Sequence, residues 1–214
     1  MKFIIGTKQH MSQVFDATGV VHPVTIVTAD PLVVTQVKDQ ERDGYAALQF
    51  GVGRTKARRV AQPQQGHTAP ARQTADVADE FAYLHEYRFH QAEPELSVGD
   101  SLDVSSFAEG DTVTVAATAK AKGFQGGVKR HGFSGQDRTH GTKHAHREIG
   151  SIGAMGPQEV RKGKRMPGRM GGNRVTVKNL HVVAVDPEDH ALYISGAIPG
   201  KKGSLVEIYG RDES

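Results

Sequence analysis

Outside one long polar stretch, the hydrophobic positions fall in short β-branched runs separated by turn signals. Val24-Thr25-Ile26-Val27-Thr28 and Leu32-Val33-Val34-Thr35-Gln36-Val37 are divided by Asp30-Pro31, and Asp43-Gly44 precedes Tyr45-Ala46-Ala47-Leu48-Gln49-Phe50. Val113-Thr114-Val115-Ala116 alternates after Glu109-Gly110-Asp111. Near the end, Val175-Thr176-Val177 leads into Leu180–Val185, Asp186-Pro187-Glu188-Asp189 turns the chain, and Leu192–Ser195 and Leu205–Ile208 follow. Period-two alternation in runs this short predicts strands. Many such strands with frequent turns predict a mainly β fold, built as a closed or nearly closed barrel.

Residues 55–90 break this pattern and predict an irregular, partly helical insertion. Thr55 to Gln73 is rich in Gln, Pro, Arg and Ala and reads as a surface excursion, in which Lys56, Arg58 and Arg59 make a minor basic patch or simply a solvated face. Beyond it, Asp76 can cap a helix in which Val77, Phe81 and Leu84 recur at helical spacing, with Arg88 at its end.

The strands near Val113–Ala117 and Val175–Val177 could pair as a hairpin, but more than fifty residues separate them. Charge gives that connection its meaning. Residues 120–174 hold thirteen Lys and Arg against three acids, a formal +10, while the rest of the chain carries −7; the whole-chain value of +3 hides the division. Segregation of this kind points to a polyanionic partner. The segment also has thirteen glycines and few large apolar residues, too few to offset the entropy of ordering by burial. It is expected to take its order from a partner, so residues 123–172 should show fast amide exchange in the isolated protein. The domains read as a body over 1–119 and 175–214 and an extension over 120–174.

Composition narrows the chemistry. The 214 residues include no cysteine, which excludes disulfides, thiolate metal sites and cysteine nucleophiles. No run approaches the ~18 apolar residues of a membrane span, and Met1–Gly6 has too short an apolar core for a signal peptide, so a cytoplasmic protein is expected. Lys and Arg every few residues can follow a phosphate chain, and glycine lets the backbone approach a rigid surface closely. With only Phe124 and Phe133 for stacking, the segment is a poor single-strand platform. An extended thread inserted into folded RNA fits best; a basic loop that binds any RNA without specificity, as a general chaperone would, is the plainer alternative. His140, His144 and His146 have a spacing that could place imidazoles around a metal, which would make a metal-dependent hydrolase. Five surrounding cations oppose a dication there, and no serine has the context of a nucleophile. No catalytic residue, metal or cofactor is expected.

Several motifs then share one order. Gly123-Phe124-Gln125-Gly126-Gly127-Val128-Lys129-Arg130, Thr139-His140-Gly141, His146-Arg147 and Gly150-Ser151-Ile152-Gly153 are followed by Val160–Gly171 and Arg174-Val175-Thr176-Val177. Together with Ile5-Gly6-Thr7-Lys8, Met11–Phe15 and Pro23-Val24-Thr25, they resemble the universal ribosomal large-subunit protein number three family across nearly the whole chain. The resemblance implies a translation-protein type β-barrel with a long Gly-rich loop, and a structural role without enzymatic activity. It implies direct binding of 23S rRNA, early subunit assembly, and a loop tip, about Gly150 to Met155, near the peptidyl transferase region. Neighbouring large-subunit proteins, by resemblance numbers fourteen and nineteen, are the expected protein partners. The residues expected to contact rRNA are Lys120, Lys122, Phe124, Lys129, Arg130, His131, Arg138, His140, Lys143, His146, Arg147, Ser151, Arg161, Lys162, Lys164, Arg165, Arg169 and Arg174. Close backbone approach is expected at Gly123, Gly126, Gly127, Gly141, Gly150, Gly153, Gly163, Gly168 and Gly171. Some relatives carry a methylated Gln after the GSIG motif; Ala154 stands there in this chain.

Overall fold

Alternating apolar residues form strands here because each inward side chain finds a shared interior. The computed structural model describes residues 2–16, 18–89 and 96–210. In chain order its elements are β1 (Phe3–Phe15), β2 (Val21–Thr28), β3 (Leu32–Lys38), α1 (Gln40–Asp43), β4 (Ala47–Thr55), α2 (Gln62–Thr74), β5 (Glu80–Arg88), β6 (Ser101–Leu102), β7 (Thr112–Thr118), β8 (Gly123–Gln125), α3 (Gly127–His131), β9 (Gly168–Met170), β10 (Arg174–Asp186), β11 (Ala191–Ser195) and β12 (Leu205–Gly210). The mainly β class is as expected. By their contacts, residues up to Thr118 together with those from Val175 make one compact unit, and Ala119–Arg174 make another.

In the first unit, six strands follow a closed ring order, β1-β12-β7-β10-β11-β2, and β2 pairs antiparallel with β1. β3 to β6 form a second sheet in the order β5-β4-β3-β6. The alternation read from the sequence is visible in β12, where Val206 and Ile208 are buried and Leu205, Glu207 and Tyr209 are half-buried. Ile4, Ile5, Leu48, Phe50, Leu192, Ile194 and Ile208 share one core that draws on both sheets. Phe3 is its hub: its ring centroid lies 5.6 Å from that of Phe50, 4.6 Å from Tyr87 and 5.2 Å from Tyr209. Strands β7 and β10 are ring neighbours, so the two ends of the long connection leave from adjacent strands.

The insertion departs from expectation in two places. The helix expected from Asp76 onward is a strand: β5 pairs antiparallel with β4 from Thr55↔Glu80 to Ala47↔Arg88. Asp76 does not cap a helix start; it has φ +51° in the turn that follows α2. Val77, Phe81 and Leu84 do cluster, but by packing a strand rather than a helix face against Val33 and Ala71. Conversely, most of the stretch read as an irregular excursion is α2, thirteen residues with Pro63 in its first turn. It has no apolar stripe, and Thr68 and Ala71 are its buried residues. Contact with the sheet, rather than periodicity, holds this helix.

Ion pairs fasten the edges of the body. Lys2 Nζ donates to Asp111 at 2.7 Å, and the Ala108 N–H donates to the same carboxylate at 2.9 Å. The backbone N–H, then the lysine, hold the Asp111 carboxyl below its ordinary value of 3.8. Because the folded-state value is the lower one, this contribution is complete above about pH 4 and is lost as pH falls toward the folded-state value. Denaturant titrations across pH 2–6 should therefore show a smaller acid loss of stability in Asp111→Asn than in the unaltered chain. In the core, Ile194→Ala should cost about 2–5 kcal/mol in chemical denaturation, whereas Val21→Ala at an exposed strand position should stay within about 0.5 kcal/mol.

Candidate nucleic-acid interface

The Ala119–Arg174 unit begins as a narrow ribbon. The Ala119 N–H donates to the Asn173 carbonyl at 2.8 Å, Gly172 N–H to Ala119 at 3.1 Å, and Lys122 N–H to Met170 at 2.9 Å. β8 and β9 continue it through Gly123↔Met170, Phe124↔Arg169 and Gln125↔Gly168. Gly171 is required here: its φ is +73°, and a Cβ would strike the Lys120 carbonyl. Lys120, Lys122 and Arg169 are exposed along the ribbon, and Phe124 is 77% exposed.

α3 follows, with Lys129 exposed and Arg130 and His131 half-buried. Arg130 Nη1 donates to the Met166 carbonyl at 2.6 Å, and His131 Nε2 lies 3.1 Å from that same oxygen. Two of the expected RNA-contacting side chains thus also tie the outgoing and returning halves together. Gly127 is buried because the side chains of Ile149 and Phe133 fill the place of a Cβ; the Phe133 ring would lie 2.7 Å from one. Arg165 sits over that ring at 5.1 Å from its centroid. This small cluster was not visible in sequence, where Phe133 and Ile149 looked like isolated apolar residues in a polar run.

The remaining positions are irregular chain with bends and turns. Gln136 N–H donates to the His146 carbonyl at 3.1 Å, and His146 Nδ1 lies 3.3 Å from the Asp137 carbonyl. Arg138, His140, Lys143 and Arg147 are exposed around this turn, and His140 itself has φ +57°. Ser151 Oγ donates to the Gly153 carbonyl at 2.7 Å, closing a local loop at the GSIG motif. Residues 151–164 are exposed throughout, Arg161, Lys162 and Lys164 among them, and Met155 is fully so. Of the glycines expected to permit close approach, Gly123, Gly141, Gly150, Gly163 and Gly171 have positive φ, and Gly126, Gly127, Gly153 and Gly168 do not.

Within Ala119–Arg174 the backbone is bonded locally. Turn and ribbon hydrogen bonds organise it without a large core, because they satisfy backbone groups locally and glycine permits the bends. Its charge stays open to solvent. Twelve of the thirteen Lys and Arg are exposed, Arg130 being half-buried. Arg174 aside, none of them is ion-paired to a carboxylate among the described residues. Among the described residues, no group of three or more His, Asp or Glu is gathered to hold an ion. His140 and His146 lie in turns and His144 in a bend. Among the described residues, no helix is long and apolar enough to cross a membrane.

Comparison with known proteins agrees with this geometry. Residues 97–200 match the profile of the family described as ribosomal protein L3. The large ribosomal subunit protein uL3 of Acidothermus cellulolyticus is 48% identical over 209 residues, covering 97% of this chain and 91% of that protein. The chain belongs to the ribosomal protein L3 family. Relatives of the same name from Pelotomaculum thermopropionicum, 44% identical over 207 residues, and Salinispora tropica, 48% identical over 209, each cover 97% of this chain and 95% and 92% of their own lengths. The resemblance read from the motifs therefore holds along the chain. Members of the family are structural components rather than enzymes.

The Phe133–Ile149 cluster makes a prediction independent of RNA. Gly127→Leu should raise amide exchange at Arg130 and Gly132, whose N–H groups bond to Gly126 and Val128. The thermal transition of the strand-rich body should shift by less than about 2 °C if the unit is energetically separate.

Proposed function

We propose that this chain is a structural constituent of the large ribosomal subunit that binds 23S rRNA directly through the Ala119–Arg174 unit. One observation carries the reading. In a chain matching uL3 proteins over 97% of its length, the densest block of positive charge is largely exposed and, Arg174 aside, has no ion pair to a carboxylate among the described residues. Phosphates supply the missing counter-charge, and release of their condensed ions supplies affinity. Side-chain contacts come from Lys120, Lys122, Lys129, Arg138, Lys143, Arg147, Arg161, Lys162, Lys164, Arg165, Arg169 and Arg174. Phe124 and Ser151 add stacking and hydrogen bonding, while Arg130, His131, His140 and His146 also shape the turns.

The six-strand ring serves as a barrel of the translation-protein type that rests on rRNA beside neighbouring proteins, numbers fourteen and nineteen among them. The Gly150–Met155 tip approaches the peptidyl transferase region and helps to organise RNA there, and the chain joins the subunit early in its assembly in the cytoplasm. Ala154 offers no side-chain amide for the methylation found in some relatives.

Binding of the full chain to in-vitro transcribed 23S rRNA, measured from ~50 to ~200 mM salt, tests this reading. Log affinity should fall linearly with log salt at about −0.7 to −0.9 per phosphate contacted. Replacing Arg161, Lys162 and Lys164 together by Ala should flatten that slope by about 2. A salt-independent affinity, or equal binding to an unrelated transcript of the same length, would overturn it.

A further inference from the structure

The insertion takes no part in the reading above, and the family profile begins only at residue 97. We propose that the cleft between β5, α2 and the Lys56–Val60 turn is a second RNA subsite. It takes a single unstacked base against the exposed face of Tyr83 and holds the attached phosphate with Arg54 and Arg59. This site rests on the rRNA-binding reading and adds a contact remote in sequence from the basic extension.

The cleft has a volume of about 360 Å³, and its lining includes Arg54, Arg59, Gln64, Glu80 and Tyr83. That is the small end of the about 300–1,000 Å³ spanned by ligand clefts, suited to one base and its sugar rather than to a helix or a run of nucleotides. Tyr83 lies on β5, the outer strand of its sheet, and is 55% exposed. A large aromatic left half in water beside arginines is the arrangement on which unpaired RNA bases stack.

Charge favours the same ligand. Arg54, Lys56, Arg58 and Arg59 place four exposed cations within six positions, and none of them is ion-paired among the described residues. Lys56 and Arg58 carry the positive track beyond the cleft, where flanking phosphates would run. The acid in the cleft does not oppose this. Glu80 is 3% exposed, its Oε1 lies 2.8 Å from Arg72 Nη2, and Thr68 Oγ1 donates to Oε2 at 3.2 Å. It is a neutralised, fixed acceptor at the floor, able to receive a hydrogen bond from a base amine.

The backbone that carries Arg59 is fastened before any ligand arrives. Gln65 Nε2 donates to the carbonyls of Ala57 and Val60, each at 2.8 Å, which fastens the turn to α2. Within the turn, Arg59 N–H donates to Lys56 at 2.9 Å and Val60 N–H to Ala57 at 3.0 Å. Pre-ordering lowers the entropy cost of engaging a flexible strand.

The test uses the full chain and in-vitro transcribed 23S rRNA across a salt series, with Arg161→Ala/Lys162→Ala in the extension as comparator. Tyr83→Ala should weaken binding about tenfold without changing the salt slope, while Tyr83→Phe keeps the affinity. Arg54→Ala/Arg59→Ala should flatten the slope by about 1 to 2. Ultraviolet crosslinking of assembled subunits should join the Tyr83 peptide to a nucleotide. Unchanged affinity and slope in the cleft variants, with the extension variant weakened, overturns the subsite and leaves the rRNA reading intact. If the extension variant also binds as the unaltered chain does, the rRNA reading falls with it. Equal losses in Tyr83→Ala and Tyr83→Phe with a lowered thermal midpoint, or a Tyr83 crosslink to protein instead of RNA, also overturn the subsite.

Discussion

Like-charge repulsion constrains how Ala119–Arg174 can be organised. A block with thirteen cations and three acids cannot pair most of its charges internally, and its side chains offer little to bury. Its organisation comes instead from backbone groups that satisfy one another across the ribbon and its turns. The apolar contacts it does make are small and local: Phe133 and Ile149 close over Gly127, and Arg165 caps the ring. Guanidinium on aromatic lets a cation join a packed cluster while keeping its charge. On the proposed rRNA-binding reading, a polyanion rather than the fold offsets the cost of holding so much positive charge together.

The body solves the opposite problem. Its core draws on both sheets, and Phe3 joins them by touching Phe50 and Tyr87 of the second sheet and Tyr209 of the ring. Aromatic pairs at tilted geometry add to simple area burial. A body stabilised in this way keeps its own ordering cost separate from that of the extension.

Legibility in the sequence followed the strength of local pattern. Val113–Ala117, Leu192–Ser195 and Leu205–Ile208 were readable as strands because their alternation records a buried and a wetter face. The strand β5 was not, since Val77, Phe81 and Leu84 are spaced for a helix and burial along β5 runs in blocks, with no clean period of two. α2 escaped for the reverse reason: Thr68 and Ala71 bury in a segment otherwise made of Gln, Arg and Pro. In the extension, charge and glycine revealed the kind of partner, and motif order named the family. The Arg130 and His131 contacts to Met166 stayed hidden because they join residues thirty-six and thirty-five positions apart, beyond any local pattern.

The adjacency of β7 and β10 has a consequence for the order of events in building a ribonucleoprotein. Both ends of the extension are anchored side by side, as the Ala119–Asn173 bond records. On the rRNA-binding reading proposed above, it would enter a crevice as a doubled strand about 5 Å between backbones, not as a single free end. A doubled strand continuous at both ends with folded chain could not be threaded through an aperture that has already closed. RNA would have to fold around it, much as plaster sets around a wire bent back on itself. On that reading the hairpin topology makes a binding element a timing element as well: it fits a mould still open, and is locked in place once that mould hardens.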